Sequence, residues 1–194
     1  ASVIPLVSSY RVLKMTHLEH HKHTNNPDLD PDYDSHAPNA LTAIWKALKV
    51  RNPGSEQLLS YQKTLDRLDP EQAGLAKRDG IIINLTYLAI LFAMAATGHA
   101  LEAFLLWVLP LALALVYIRF FLAWAPHHPG HETGRYRDTR AFKSLFGVIG
   151  TMGMTVHIVH HLHPRIPLDR TPAAFREMRP ILQARNCDLG RLYE

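Results

Sequence analysis

Histidine recurs at positions i, i+3 and i+4 in two places, His17-Leu18-Glu19-His20-His21 and His157-Ile158-Val159-His160-His161. On a helix turning about 100° per residue, three such side chains share about 100° of arc, so each box aims three imidazoles at one place. Packing alone does not favour that arrangement, because a buried imidazole without a partner carries a desolvation cost. Metal ligation favours it. A third cluster holds His127, His128 and His131, and His23 and His163 sit at the edges of the two boxes. His36 and His99 stand alone, and their substitution is expected to be tolerated. A single cysteine, Cys187, excludes an intrachain disulfide and any Cys-based zinc or iron–sulfur site, which leaves histidine to carry the metal chemistry. Six or more imidazoles exceed one tetrahedral zinc, so two metals are expected. The zinc-protease pattern His-Glu-x-x-His is not met, since Glu19 follows His17 by two positions.

Two apolar runs must position these clusters. Ile81 to Ala100 is 20 residues free of Asp, Glu, Lys and Arg, and Ala103 to Pro126 is 24 residues with Arg119 as the one such charge. At about 1.5 Å per residue they reach about 30 and 36 Å, enough to cross a hydrocarbon core of about 30 Å. The His99 to Glu102 loop holds no Lys or Arg, whereas ten basic residues precede Ile81 and ten follow Arg119, a distribution that places both flanks in the cytoplasm. Spans at about 81–100 and 103–126 are expected, with Arg119 snorkelling to the cytoplasmic end and Pro110 kinking the second span mildly. Leu145 to Met154 is too short to cross. Its Gly147, Gly150 and Gly153 predict a smooth stripe on a short helix or re-entrant segment packed against the hairpin. Two crossings return the chain to its starting face, so all three histidine clusters share one side.

Leu41, Ile44, Trp45 and Leu48, with Lys46, Lys49 and Arg51 alongside, read either as a basic amphipathic helix at the headgroup level or as core packing of a soluble cap. Asn52-Pro53-Gly54-Ser55 ends it, a second helix runs from Ser55 to about Leu68 before Asp69-Pro70, and Thr171-Pro172 opens a last helix that Pro180 interrupts. The expected fold is all-α, one domain over residues 1–194: an integral membrane helical hairpin with a cytoplasmic helical cap carrying the histidine boxes. The apolar share of 47% excludes a disordered chain, and the net charge of +4 is not gathered on any DNA-binding motif, so no nucleic-acid partner is expected.

From about Tyr10 to Pro180 the chain resembles the membrane fatty acid desaturase superfamily, which includes carotenoid hydroxylases and ketolases. The segment from His17 to Asp28 looks like the family's second histidine box and that from His157 to Pro167 like its third. Trp124 to His131 resembles the segment leaving the last span that supplies one further ligand. The resemblance implies His17, His20, His21, His131, His157, His160 and His161 as metal ligands, His127 as a residue behind the ligands or acting through a metal-bound water, and His128 as a solvated interface residue. It implies two non-haem irons, dioxygen as co-substrate, and two electrons from a donor protein, ferredoxin or a b-type cytochrome with its reductase. The implied enzyme is a desaturase-like oxidoreductase of the membrane, its active site on the cytoplasmic face, that desaturates or hydroxylates a long-chain fatty acyl lipid. The alternatives are a carotenoid ring hydroxylase or ketolase and a non-enzymatic histidine-rich metal-binding or transport protein, whose ligands would lie within the spans.

Asp28 to Asp34 reads as a turn following the box rather than a calcium loop, because it lacks the glycine and terminal Glu of an EF-hand. Arg135, Arg137 and Arg140 either hold an acidic headgroup, carrier or electron donor or form a solvated basic face. The resembled family carries an earlier histidine box preceded by a further hairpin, whereas no histidine here precedes His17. The chain is therefore expected to be N-terminally truncated and unable by itself to assemble the complete site.

Overall fold

A computed structural model describes residues 7–50 and 54–190, and among them every extended run of regular structure is helical. Helix α1 (Tyr10–His23) starts where the Ser9 hydroxyl accepts the Val12 N–H. After a 3₁₀ turn at Tyr33–Ser35 come α2 (Ala40–Leu48), capped by Asn39, and α3 (Glu56–Arg67), capped by Ser55. Asp69 caps α4 (Pro70–Ala96), whose charged first turns lead into the first apolar run. The second run lies in α5 (Ala100–His127). Both helices are long and apolar enough to cross a membrane, and Leu85, Leu88, Phe92 and Leu106 point outward, the reverse of a soluble core helix. The short α6 (Gly147–Gly150), then α7 (His157–Leu162) and α8 (Thr171–Ala184) complete the order.

Helix α5 is not uniformly α-helical around Pro110. It widens twice into π-helical turns, Phe104–Val108 and Arg119–Trp124, each just ahead of a proline, Pro110 and Pro126. A proline ring collides with the carbonyl four residues back, and a wider turn moves that carbonyl away. Arg119, expected to snorkel outward, instead turns inward: it is buried and paired with Asp34 and, at 3.4 Å, with Asp32. The Tyr61 hydroxyl donates to the same Asp32 carboxylate at 3.0 Å. Burial raises the Asp34 pKa, an effect Arg119 opposes. Arg119→Ala strands these carboxylates, and a loss of about 3–5 kcal/mol is expected, read as a lower thermal midpoint in detergent. Arg119→Lys recovers only part, having no planar fork for two partners; an unchanged midpoint for Arg119→Ala would refute the pairing as a stabilising one.

Each box helix is held by its apolar side. Val12 and Met15 of α1 pack on Leu65, Ala73 and Ala76, while Ile158, Val159 and Leu162 of α7 pack with Phe175 and Leu182 of α8. A fully buried side chain such as Phe175 contributes about 1.5–3 kcal/mol to that hold. Pro180 does not interrupt α8, because it lies on the exposed side where its missing N–H is cheap. Thr171 begins that helix rather than capping it, its hydroxyl donating to Leu168 O at 2.7 Å.

The glycine stripe does not form either. Gly147 (φ 60°) and Gly153 (φ 82°) adopt left-handed turns that need glycine, and the segment folds back with Leu145 and Ile149 fully outward and Phe146 against Phe121. In α2, Ala43 and Ala47 are buried while Leu41, Trp45 and Leu48 face outward, so the core-packing alternative is not met. The Lys49 ammonium sits 4.3 Å over the Trp45 ring. Arg51, Asn52 and Pro53, expected beyond this helix, lie outside the described residues.

Candidate metal centre

Helices α1 and α7 set their histidine boxes face to face. The Nε2 atoms of His17, His21 and His160 lie 3.1–3.2 Å from one another. Each corner of such a triangle is about 1.8 Å from its centre, within reach of a metal–imidazole bond of about 2 Å. A second triad, His20, His127 and His161, brings its ring nitrogens within 4.8 Å. His157 stands against both, with ring centroids 5.2 Å from His160, 5.3 Å from His127 and 4.7 Å from His161. The first triad opens at the rim through His17; the second is walled in by buried His20 and His127.

Six of the seven histidines named as ligands from the sequence thus meet in one place. The seventh, His131, is not brought to them: it is exposed, on the wall of a cavity of about 410 Å³. His127, expected behind the ligands, stands in the second triad. The last turn of α5 carries His127 inward, whereas His131 follows Gly130 (φ 75°), where the chain has turned away. His23 lies by Glu19, His128 against the Trp124 ring, His163 just past α7 and His99 at the far end of the hairpin. His36 is not solitary. Its Nδ1–H donates to Tyr33 O at 2.7 Å and its Nε2 lies 3.1 Å from Asn25 Oδ1.

The donor set fits a pair of metal ions on three observations. His127 Nε2, His161 Nε2 and His157 Nδ1 are buried without a hydrogen-bond partner. The remote nitrogens of two of these rings are held, His20 Nδ1–H donating to Asp30 Oδ1 at 2.8 Å and His127 Nδ1–H to Asp138 O at 3.1 Å. That fixes the tautomer and turns each Nε2 lone pair toward the site. Burial and neighbouring histidines push His21 down to about 3 and His160 to about 4, and lower His17, His157 and His161 as well, so these rings are neutral donors at pH 7. His20 differs: burial opposes its charge, but the Asp30 hydrogen bond and charge raise its pKa overall. Neutral nitrogen donors without thiolate suit iron, copper, zinc or nickel.

Sequence reasoning missed Asp30, Asn25 and the Asp138 carbonyl. Asp30 also accepts the Asp32 N–H at 2.9 Å and, on Oδ2, the Asn25 N–H at 2.8 Å. The available signal was a carboxylate ten residues after His20, in a box whose imidazoles need an acceptor behind them. The arginines after α5 are tied mainly to helix ends, Arg135 donating to Leu162 O and Arg140 to Ala125 O, both at 3.0 Å. Arg137 pairs with Glu132 at the surface.

A fatty acid desaturase family model matches residues 1–189. Among curated proteins, a beta-carotene ketolase of Paracoccus sp. strain N81106 is 26% identical over 174 residues, 85% of this chain and 58% of the relative. Another, from Paracoccus sp. strain PC1, is 27% identical over 174 residues, 84% of this chain and 57% of the relative. The chain therefore spans less than two thirds of the length of these relatives. No solved structure matches.

Proposed function

The chain belongs to the fatty acid desaturase family, and on that premise we propose that it is an integral membrane di-iron oxidoreductase acting on C–H bonds of a long apolar lipid. The observation that carries this reading is the meeting of seven imidazoles, six in two triads and His157 beside both, with three buried ring nitrogens unpaired. One iron is assigned to His17, His21 and His160, the other to His20, His127 and His161, with His157 beside both. When bound, the iron pair supplies the dioxygen-derived oxidising power that no side chain has. Asp30 and Asp138 O hold two rings in the binding tautomer. Arg119, paired with Asp32 and Asp34, ties the second span to the loop that carries Asp30. In this reading the apolar faces of α4 and α5 keep the substrate chain in the bilayer, and the basic flanks support a site on the cytoplasmic side, where a ferredoxin or b-type cytochrome would deliver electrons.

The substrate we propose is a carotenoid ring, because both curated relatives carry the name beta-carotene ketolase. The family's description favours a fatty acyl lipid as the second reading. The test is expression of the full-length gene in a bacterial host that accumulates β-carotene, with pigments and fatty acids profiled together. An oxygenated carotenoid that disappears under iron limitation is expected. New unsaturated or hydroxylated acyl chains with unchanged pigment would transfer the assignment to acyl lipids, and neither product from a protein shown to bind iron would overturn the enzymatic reading.

A further inference from the structure

We propose that Asn25 and His36 are positioning residues of the buried triad, Asn25 supporting His20 through its backbone N–H and His127 through its side-chain amide; this rests on reading that triad as a metal site. Asn25 follows the end of α1 at φ 64°, a left-handed conformation that Asn adopts more readily than most residues. It is buried, and it touches the acceptors behind both rings. Its backbone N–H donates to Asp30 Oδ2 at 2.8 Å, and Asp30 Oδ1 is the partner of His20. Its Nδ2 donates to Asp138 O at 2.9 Å, the carbonyl that also receives His127 Nδ1–H, and to Glu132 O at 2.7 Å. A ligand from α1 and a ligand from the end of α5 are thus oriented from a single residue.

With both amide hydrogens given to carbonyls, the orientation of Asn25 is settled and Oδ1 must face His36 Nε2. His36 faces two acceptors, Asn25 Oδ1 and Tyr33 O; donating to both takes a proton on each nitrogen, which burial opposes by lowering the ring's pKa and the Tyr33 hydrogen bond favours. The ring is wedged by Gly130, where any Cβ would collide with it. The Lys46 ammonium donates to His36 O at 3.2 Å and completes the seat. His36 lines no part of either triad, so its effect on the metal passes through Asn25.

The test uses the full chain in detergent, titrated with cobalt(II), reading stoichiometry, visible absorption bands and thermal midpoint. Asn25→Asp keeps size and shape but sets an acceptor against two carbonyls. The buried site is expected to lose affinity about 10–100-fold with altered bands, while the His17, His21, His160 site fills as in wild type. His36→Leu should move the bands the same way to a smaller extent, and His36→Gln, which restores an N–H toward Oδ1, should bring them back. If Asn25→Asp does not fold, Asn25→Gly keeps the left-handed backbone and the N–H to Asp30 but lacks the side-chain amide, and reports the same loss through His127. Wild-type stoichiometry and bands in Asn25→Asp or in a folded Asn25→Gly would overturn this inference alone; a wild-type chain that takes up no metal would overturn it together with the proposed function.

Discussion

His127→Ala is expected to empty the buried triad and to lower product formation by at least about a hundredfold, a larger loss than removing an outer partner of a metal ligand, whereas His131→Ala leaves both close to wild type. His127 contributes an unpaired buried Nε2 beside His20 and His161, and its other nitrogen is already committed to Asp138 O. Its removal leaves two ligands and a cavity. His131 is exposed and belongs to neither triad. Metal content by elemental analysis and product yield, measured on both variants, give the comparison. Full metal content in His127→Ala with loss in His131→Ala would reverse the assignment.

Asp30→Ala carries the second large effect. The carboxylate is buried and accepts from His20 Nδ1, Asp32 N and Asn25 N. Each donor left unsatisfied costs about 1–3 kcal/mol, and the His20 ring loses the group that sets its tautomer. A drop of about 3–5 kcal/mol in stability is expected, together with a metal affinity weaker by about 10–100-fold. Asp30→Asn retains one acceptor oxygen and should fall between. Thermal melts of metal-free and metal-loaded protein separate the two effects, since the affinity loss appears only in the loaded sample; no change in either sample would discount Asp30 as the support of His20.

The two box helices and the two spans were legible in the sequence because their signals are local. A histidine spacing of i, i+3, i+4 and an uninterrupted apolar run are complete within one element, and Ser55 marks a helix start by chemistry confined to a single turn, whereas Asp69 and Pro70, read only as the end of that helix, also open the next. What was not legible depends on phase accumulated over distance. Choosing between His127 and His131 requires knowing how far α5 has rotated when it ends, and two wide turns lie upstream. Arg119 turned inward for the same reason, finding Asp32 and Asp34 some 85 residues away in sequence. Asn25 and His36 offered no periodicity at all, and their role emerges only from which carbonyls the fold brings to them. The three glycines misled by being read as one helical face, when two of them serve left-handed turns.

The wide turns of α5 separate two quantities that an ordinary span locks together, the number of residues and the angular setting of whatever follows. Removing a residue from Leu109–Ile118 shortens the helix by about 1.5 Å and swings the downstream end through about 100°, carrying Arg119 and His127 off their partners. A π turn is an α-helix with one residue already inserted, so a residue withdrawn from Phe104–Val108, with Pro110 replaced, returns that stretch to α pitch and leaves the downstream heading unchanged. The helix therefore contains defined slots at which a residue can be gained or lost without re-aiming the histidine at its end.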